Sequence, residues 1–95
     1  MSVKKQLIEL SEEMTLITSY APDDYPERLR MTIDTHREDI QQLWKKILPM
    51  LKNIEKADSV DNQLSAMFAA FAVGNRNLGR KIAWDLWNLP IRDLK

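Results

Sequence analysis

The first place in this 95-residue chain to look for acid–base chemistry is its single histidine, His36, with carboxylates at Asp34, Glu38 and Asp39 around it. His36 falls within an apolar spacing that runs Leu29, Ile33, His36, Ile40, Leu43, Trp44 and Ile47. On a helix this makes it a seam histidine, bonded to a neighbour or lying at the edge of the core. A zinc site would need further nitrogen or sulfur ligands, and the chain has no second histidine and no cysteine. A helical di-iron site would need repeated Glu-x-x-His pairs, and the residue three before His36 is Ile33. Asp34 and Glu38 stand four apart with like charge, which is mildly unfavourable on a helix and marks a solvated face. Gly74 and Gly79 have no strand ahead of them, so the glycines lack the context of a phosphate loop. No serine or threonine sits in a nucleophile motif. The sequence therefore predicts no catalytic residue, cofactor or metal, and a chain that is not an enzyme.

A different constellation calls for a binding role. At 100° per residue, Arg76, Arg80, Trp84 and Trp87 share one side of a helix, opposite a core stripe that reaches Leu89. Ala66, Ala69 and Val73 extend that second face toward the N-terminus, and Ile91 continues it at the other end. A helix with apolar groups on two opposite faces is more than a surface helix. The face has three readings: internal packing of a central helix, a homodimer interface, or a partner-binding site, since Arg and Trp dominate binding hot spots. The leading expectation is a small helical protein–protein interaction module, an adaptor, inhibitor, immunity-type or regulatory factor without catalysis of its own. The alternative is a nucleic-acid-associated regulatory factor. Residues 63–84 contain Arg76, Arg80 and Lys81 and no acid, with a tryptophan at hand for stacking.

Composition bounds these readings. There are 14 basic and 14 acidic residues, so the net charge is zero, unlike the usual nucleic-acid binder. Residues 1–43 hold nine acids and five bases, and residues 44–95 hold five acids and nine bases, so the halves carry −4 and +4. The N-terminus meets Glu9, Glu12 and Glu13 where a signal peptide would be apolar, and no apolar run is long enough to span a membrane. The expected location is the cytoplasm.

The elements that must position these groups are helices, in one domain over residues 1–95. Val3, Leu7, Leu10, Met14 and Ile17 step by four, three, four and three, which predicts a helix over Ser2–Tyr20. Ala21 to Pro26 breaks it. Asp24 and Glu27 have capping-box spacing, with Pro26 in the first turn, and predict the start of a second helix that kinks or breaks at Pro49 and ends near Lys56. Asp58 or Ser59 caps the last helix, which Pro90 ends. Gly74-Asn75-Arg76-Asn77-Leu78-Gly79 is its soft point. The stripe stays in register there, favouring one long helix, with a break at a Gly74 cap as the alternative. The fold class predicted is all-α, an antiparallel up-down-up bundle of about three long helices.

Overall fold

The computed structural model describes residues 3–88, and among these the chain is all-helical with no strand. Four α-helices form: α1 (Val3–Tyr20), α2 (Ile33–Ile47), α3 (Ile54–Ala72) and α4 (Arg76–Asn88). Short 3₁₀ turns at Glu27–Leu29 and Leu48–Met50 flank α2. The expected count of about three is thus corrected to four. Ser2, Leu89, Pro90 and Ile91, to which the sequence assigned a helix start, a core position, a helix end and an extension of the second face, lie outside the described residues.

Helix α1 follows its stripe: Leu7, Leu10, Met14 and Ile17 are all buried. The start of α2 differs from expectation. Residues 27–29 make only a 3₁₀ turn, closed by Arg30 in the left-handed region at φ 48°. The helix begins after Thr32, whose hydroxyl accepts from the Thr35 N–H while the Thr35 hydroxyl accepts from the Thr32 N–H. This reciprocal pair satisfies two backbone donors that a helix start leaves open. Asp24 is drawn away from a capping role by arginines of α4.

Pro49 breaks the chain where its ring forbids a continuing helix. Leu51 turns extended at ψ 138°. Asn53, not Asp58 or Ser59, then caps α3, its Oδ1 accepting from the Lys56 N–H at 3.0 Å. Met50, Leu51 and Ile54 keep the helical spacing across Pro49, but Ile54 is largely exposed. Spacing alone was a false guide there.

At the soft point the chain reverses. Gly74 has φ 81°, which costs a glycine little and other residues roughly 1–2 kcal/mol. Its N–H donates to the Phe71 carbonyl and the Asn75 N–H donates to the Ala70 carbonyl, the paired bonds of a Schellman motif. Asn75 also opens α4: its Oδ1 accepts from the Leu78 N–H at 3.2 Å. Two residues thus end one helix and start the next.

The reversal lays α4 between α3 and α1, while α2 packs on α1. A central place for the whole last helix was one of the readings; only its C-terminal part, α4, takes that place, and its neighbours are α3 and α1. Its buried residues are Gly79, Ala83 and Leu86; of the apolar stripe read for this segment Leu86 is buried, while Leu78 is exposed and Ile82 is only partly covered. Small residues prevail because α4 is gripped on two sides. A Cβ on Gly79 would lie 2.5 Å from the Phe71 ring of α3. Around this line Ile40, Trp44, Ile47, Val60, Met67 and Phe71 join the α1 stripe in one core.

Gly79→Ala is therefore expected to destabilise the fold. Overpacking costs typically about 1–3 kcal/mol, more than the helix-propensity gain of about 1 kcal/mol. Urea unfolding should show a lower midpoint, and Phe71→Leu in the same chain should restore part of it.

Candidate nucleic-acid interface

The four residues expected to form one face divide into two groups along α4. Arg76 and Arg80, in its first turns, reach back to the loop between α1 and α2. The Arg80 Nε–H donates to the Ala21 carbonyl at 2.7 Å and its Nη2 to Asp24 Oδ2 at 2.7 Å. Arg76 Nη1 lies 3.1 Å from the same Asp24 oxygen and 3.7 Å from Asp23 Oδ1. The Arg80 side chain is the more covered of the two, and its charge-assisted bond to a carbonyl is the stronger hold. Arg76 is half exposed, and a pair of that kind contributes little in water. These guanidinium groups are part of the chain's own clasp. They draw acids from the negative first half onto bases of the positive second half.

Trp84 and Trp87 remain together at the other end of α4, with ring centroids 5.2 Å apart and planes at 30°. Trp87 packs against the core, whereas Trp84 is 51% exposed. Ala66, Ala69 and Val73 are no longer continuous with them, because the turn at Gly74 puts those residues on a different helix. The solvent-facing line of α4 is instead Asn77, Lys81, Trp84 and Asn88, spaced four, three and four. Lys81 lies 3.3 Å from Asp85 in an exposed pair, and the Asn88 amide donates to the Trp84 carbonyl. An aromatic face, a lysine and amide groups in one row offer a base a stacking surface and a phosphate a cation. The row was within reach of the sequence, but only after the register of α4 was shifted by one residue.

Beside the clasp lies a buried polar chain. His36, fully buried in the first turn of α2, has Nδ1 2.7 Å from the Tyr25 hydroxyl and Nε2 2.6 Å from Glu13 Oε2. Tyr25 donates to Nδ1, and Nε2–H donates to the Glu13 carboxylate. Burial pushes the Tyr25 hydroxyl well above its ordinary value; the negative charge of Glu13 adds to this and Arg80 offsets part of it. The tyrosine therefore keeps its proton and stays a donor. Both imidazole nitrogens are engaged, so His36 joins α1, α2 and their loop instead of facing a substrate, in line with its seam position. Glu13 and Tyr25 were not singled out as its partners. The one signal was that Glu13 borders the α1 stripe at Leu10, Met14 and Ile17. Asp34, Glu38 and Asp39 are exposed, with Asp34 3.8 Å from Arg37. Among the described residues no group of three or more His, Cys, Asp or Glu could hold a metal ion, and no helix is long and apolar enough to cross a membrane.

No family model matches the chain, and no solved structure matches it. It is similar to ribonuclease M5 of Mycoplasma genitalium, 28% identical over 102 aligned positions that cover 99% of this chain and 57% of that protein. The chain thus spans somewhat more than half the length of the relative it matches. This similarity overturns the leading expectation of a protein–protein interaction module with no catalytic chemistry. The matched protein is a nucleic-acid enzyme by name, and the match runs along nearly the whole chain. The expectation that the chain is not an enzyme is likewise not kept, since a ribonuclease points toward one.

The raised Tyr25 hydroxyl carries a pH dependence. A group whose proton is held more tightly when folded stabilises the fold fully below its unfolded value, and that stability is lost as pH rises past it. Stability should therefore fall as pH climbs above about 10. Tyr25→Phe should flatten that part of the profile while costing about 1–3 kcal/mol at neutral pH, because it strands His36 Nδ1. Urea midpoints from pH 7 to 11 for both chains measure this.

Proposed function

We propose that this chain binds RNA and serves in RNA processing, as a helical unit of a protein of the ribonuclease kind. The observation that carries the proposal is the similarity to a ribonuclease along 99% of the chain. The exposed row Asn77, Lys81, Trp84 and Asn88 supports it, since base stacking on an aromatic side chain combined with a nearby cation holds single strands without sequence preference. The cation of this row, Lys81, shares an exposed pair with Asp85 at 3.3 Å, which contributes little in water and leaves the ammonium able to meet a phosphate. Arg76 and Arg80, the expected grip on phosphates, play the smaller part here because Asp24 already engages both. A cytoplasmic location is part of the proposal.

Fluorescence anisotropy with a labelled single-stranded RNA of mixed sequence tests it, and following the length of the same RNA reads strand scission. Binding is expected at low ionic strength, falling as salt rises because counterions are released from the phosphates. Trp84→Ala should weaken it by about tenfold, the order of one lost stacking contact. No binding at low ionic strength would contradict the proposal.

A further inference from the structure

Because α2 packs on α1 and α3 packs on α4, the two outer helices α2 and α3 meet only along one edge and leave a groove between them. Its volume is about 330 Å³, within the range of small-molecule sites. The space exists because α3 turns Ser65, Ala69 and Ala72 toward it, small residues at spacings of four and three. The floor is apolar, from Ile40, Leu64 and Phe68, and the wall is polar.

The wall is held in place. The Trp44 indole N–H donates to Asp61 Oδ1 at 3.0 Å, which fixes the carboxylate across the two helices with its second oxygen left to accept. Gln41 lines the same wall. Arg37 stands at the mouth, 46% exposed and with only a 3.8 Å approach to Asp34 to restrain it. A second hollow of about 390 Å³ shares Gln41, Trp44 and Asp61 and has Lys45 on its lining. Both hollows share the anchored Asp61 carboxylate; the first has Arg37 at its side, and the second has Lys45 together with a further carboxylate, Glu38.

We propose that this groove is a nucleobase pocket that takes one unstacked base of a single-stranded RNA. The ring lies on the Phe68 floor, an amino group on its edge donates to Asp61, and the adjoining phosphate meets Arg37. The chemistry selects this occupant. An apolar floor suits a flat ring, and a carboxylate on the wall accepts from exocyclic amino groups such as that of cytosine. The same carboxylate repels a phosphate from the interior and leaves it to the cation at the mouth. The inference rests on the RNA reading above and names a second place on the molecule where that RNA is held.

The test has two arms. In the first, CMP and UMP are titrated into the ¹⁵N-labelled chain. Saturable shifts are expected at the Trp44 indole N–H and at the Gln41, Ser65 and Ala69 amides, with CMP the tighter ligand. Shifts confined to Trp84 and its neighbours overturn the pocket, and equal binding of CMP and UMP overturns the role given to Asp61. In the second arm, single-stranded RNA is titrated into Ser65→Leu and into Ala69→Leu, two exposed positions where added aliphatic bulk fills the groove without offering a stacking ring. Thermal melts confirm that each variant is folded. About tenfold weaker RNA binding is expected with Trp84 intact. RNA binding that survives both variants removes the pocket and leaves the RNA reading standing, whereas a wild-type chain that binds no RNA at low salt removes both.

Discussion

Gly74 turns the second half of this protein back on itself, and nearly every other feature depends on that reversal. A left-handed residue is cheap only for glycine, and the bonds to Phe71 and Ala70 close the end of α3 around it. Asn75 then starts α4 in the opposite direction. Without the reversal, residues 54–88 would form one rod with two apolar faces and no core to bury both. With it, α4 becomes the helix that α3 and α1 share, and its Gly79–Ala83–Leu86 line is small enough to let both approach.

The same reversal brings charges together. Arg76 and Arg80 arrive beside Asp23, Asp24 and the Ala21 carbonyl, more than fifty residues earlier in the chain. The loop they hold carries Tyr25, which completes the buried chain through His36 to Glu13. Two polar networks thus meet at one end of the bundle, one solvated and one centred on the fully buried His36. The second has the larger structural consequence, because removing Tyr25 or Glu13 leaves a ring nitrogen of His36 unpaired. Surface left over from these tasks, the Lys81 and Trp84 row and the α2–α3 groove, is what is available to a nucleic acid.

Much of this was legible in the residues themselves. The α1 stripe, the Ala21–Pro26 break and the burial of His36 follow from spacing and from proline chemistry. Gly74 followed by Asn75 carried both cap signals, but unbroken hydrophobic register across them argued for a continuous helix. That register misleads here, since in α4 it picks out Leu78, which is exposed, and Ile82, only partly covered, beside the buried Leu86. The α2 start was obscured because Asp24 looks like a cap and is instead an ion-pair partner, a role set by arginines distant in sequence. Arg76, Arg80, Trp84 and Trp87 do not form one exposed face: the arginines turn to Asp24, Trp87 packs on the core, and Trp84 alone of the four lies in the solvent-facing row. What periodicity could not tell was that the arginines have a home within the chain while Trp84 does not. The nucleic-acid role proposed above was present only as the weaker alternative, because a neutral net charge hides how the charges are arranged.

The account stands on α4 folding back along α3, and a distance measurement tests this directly. The chain has no cysteine, so cysteines introduced at exposed Ser59 and Asp85 accept spin labels at those two positions alone. Packed antiparallel helices lie about 8–10 Å apart, so the hairpin predicts an interspin distance below roughly 25 Å once label arms are added. A continuous helix through Gly74 would separate the two positions by roughly 39 Å at 1.5 Å per residue, and a distance near that value would contradict the account.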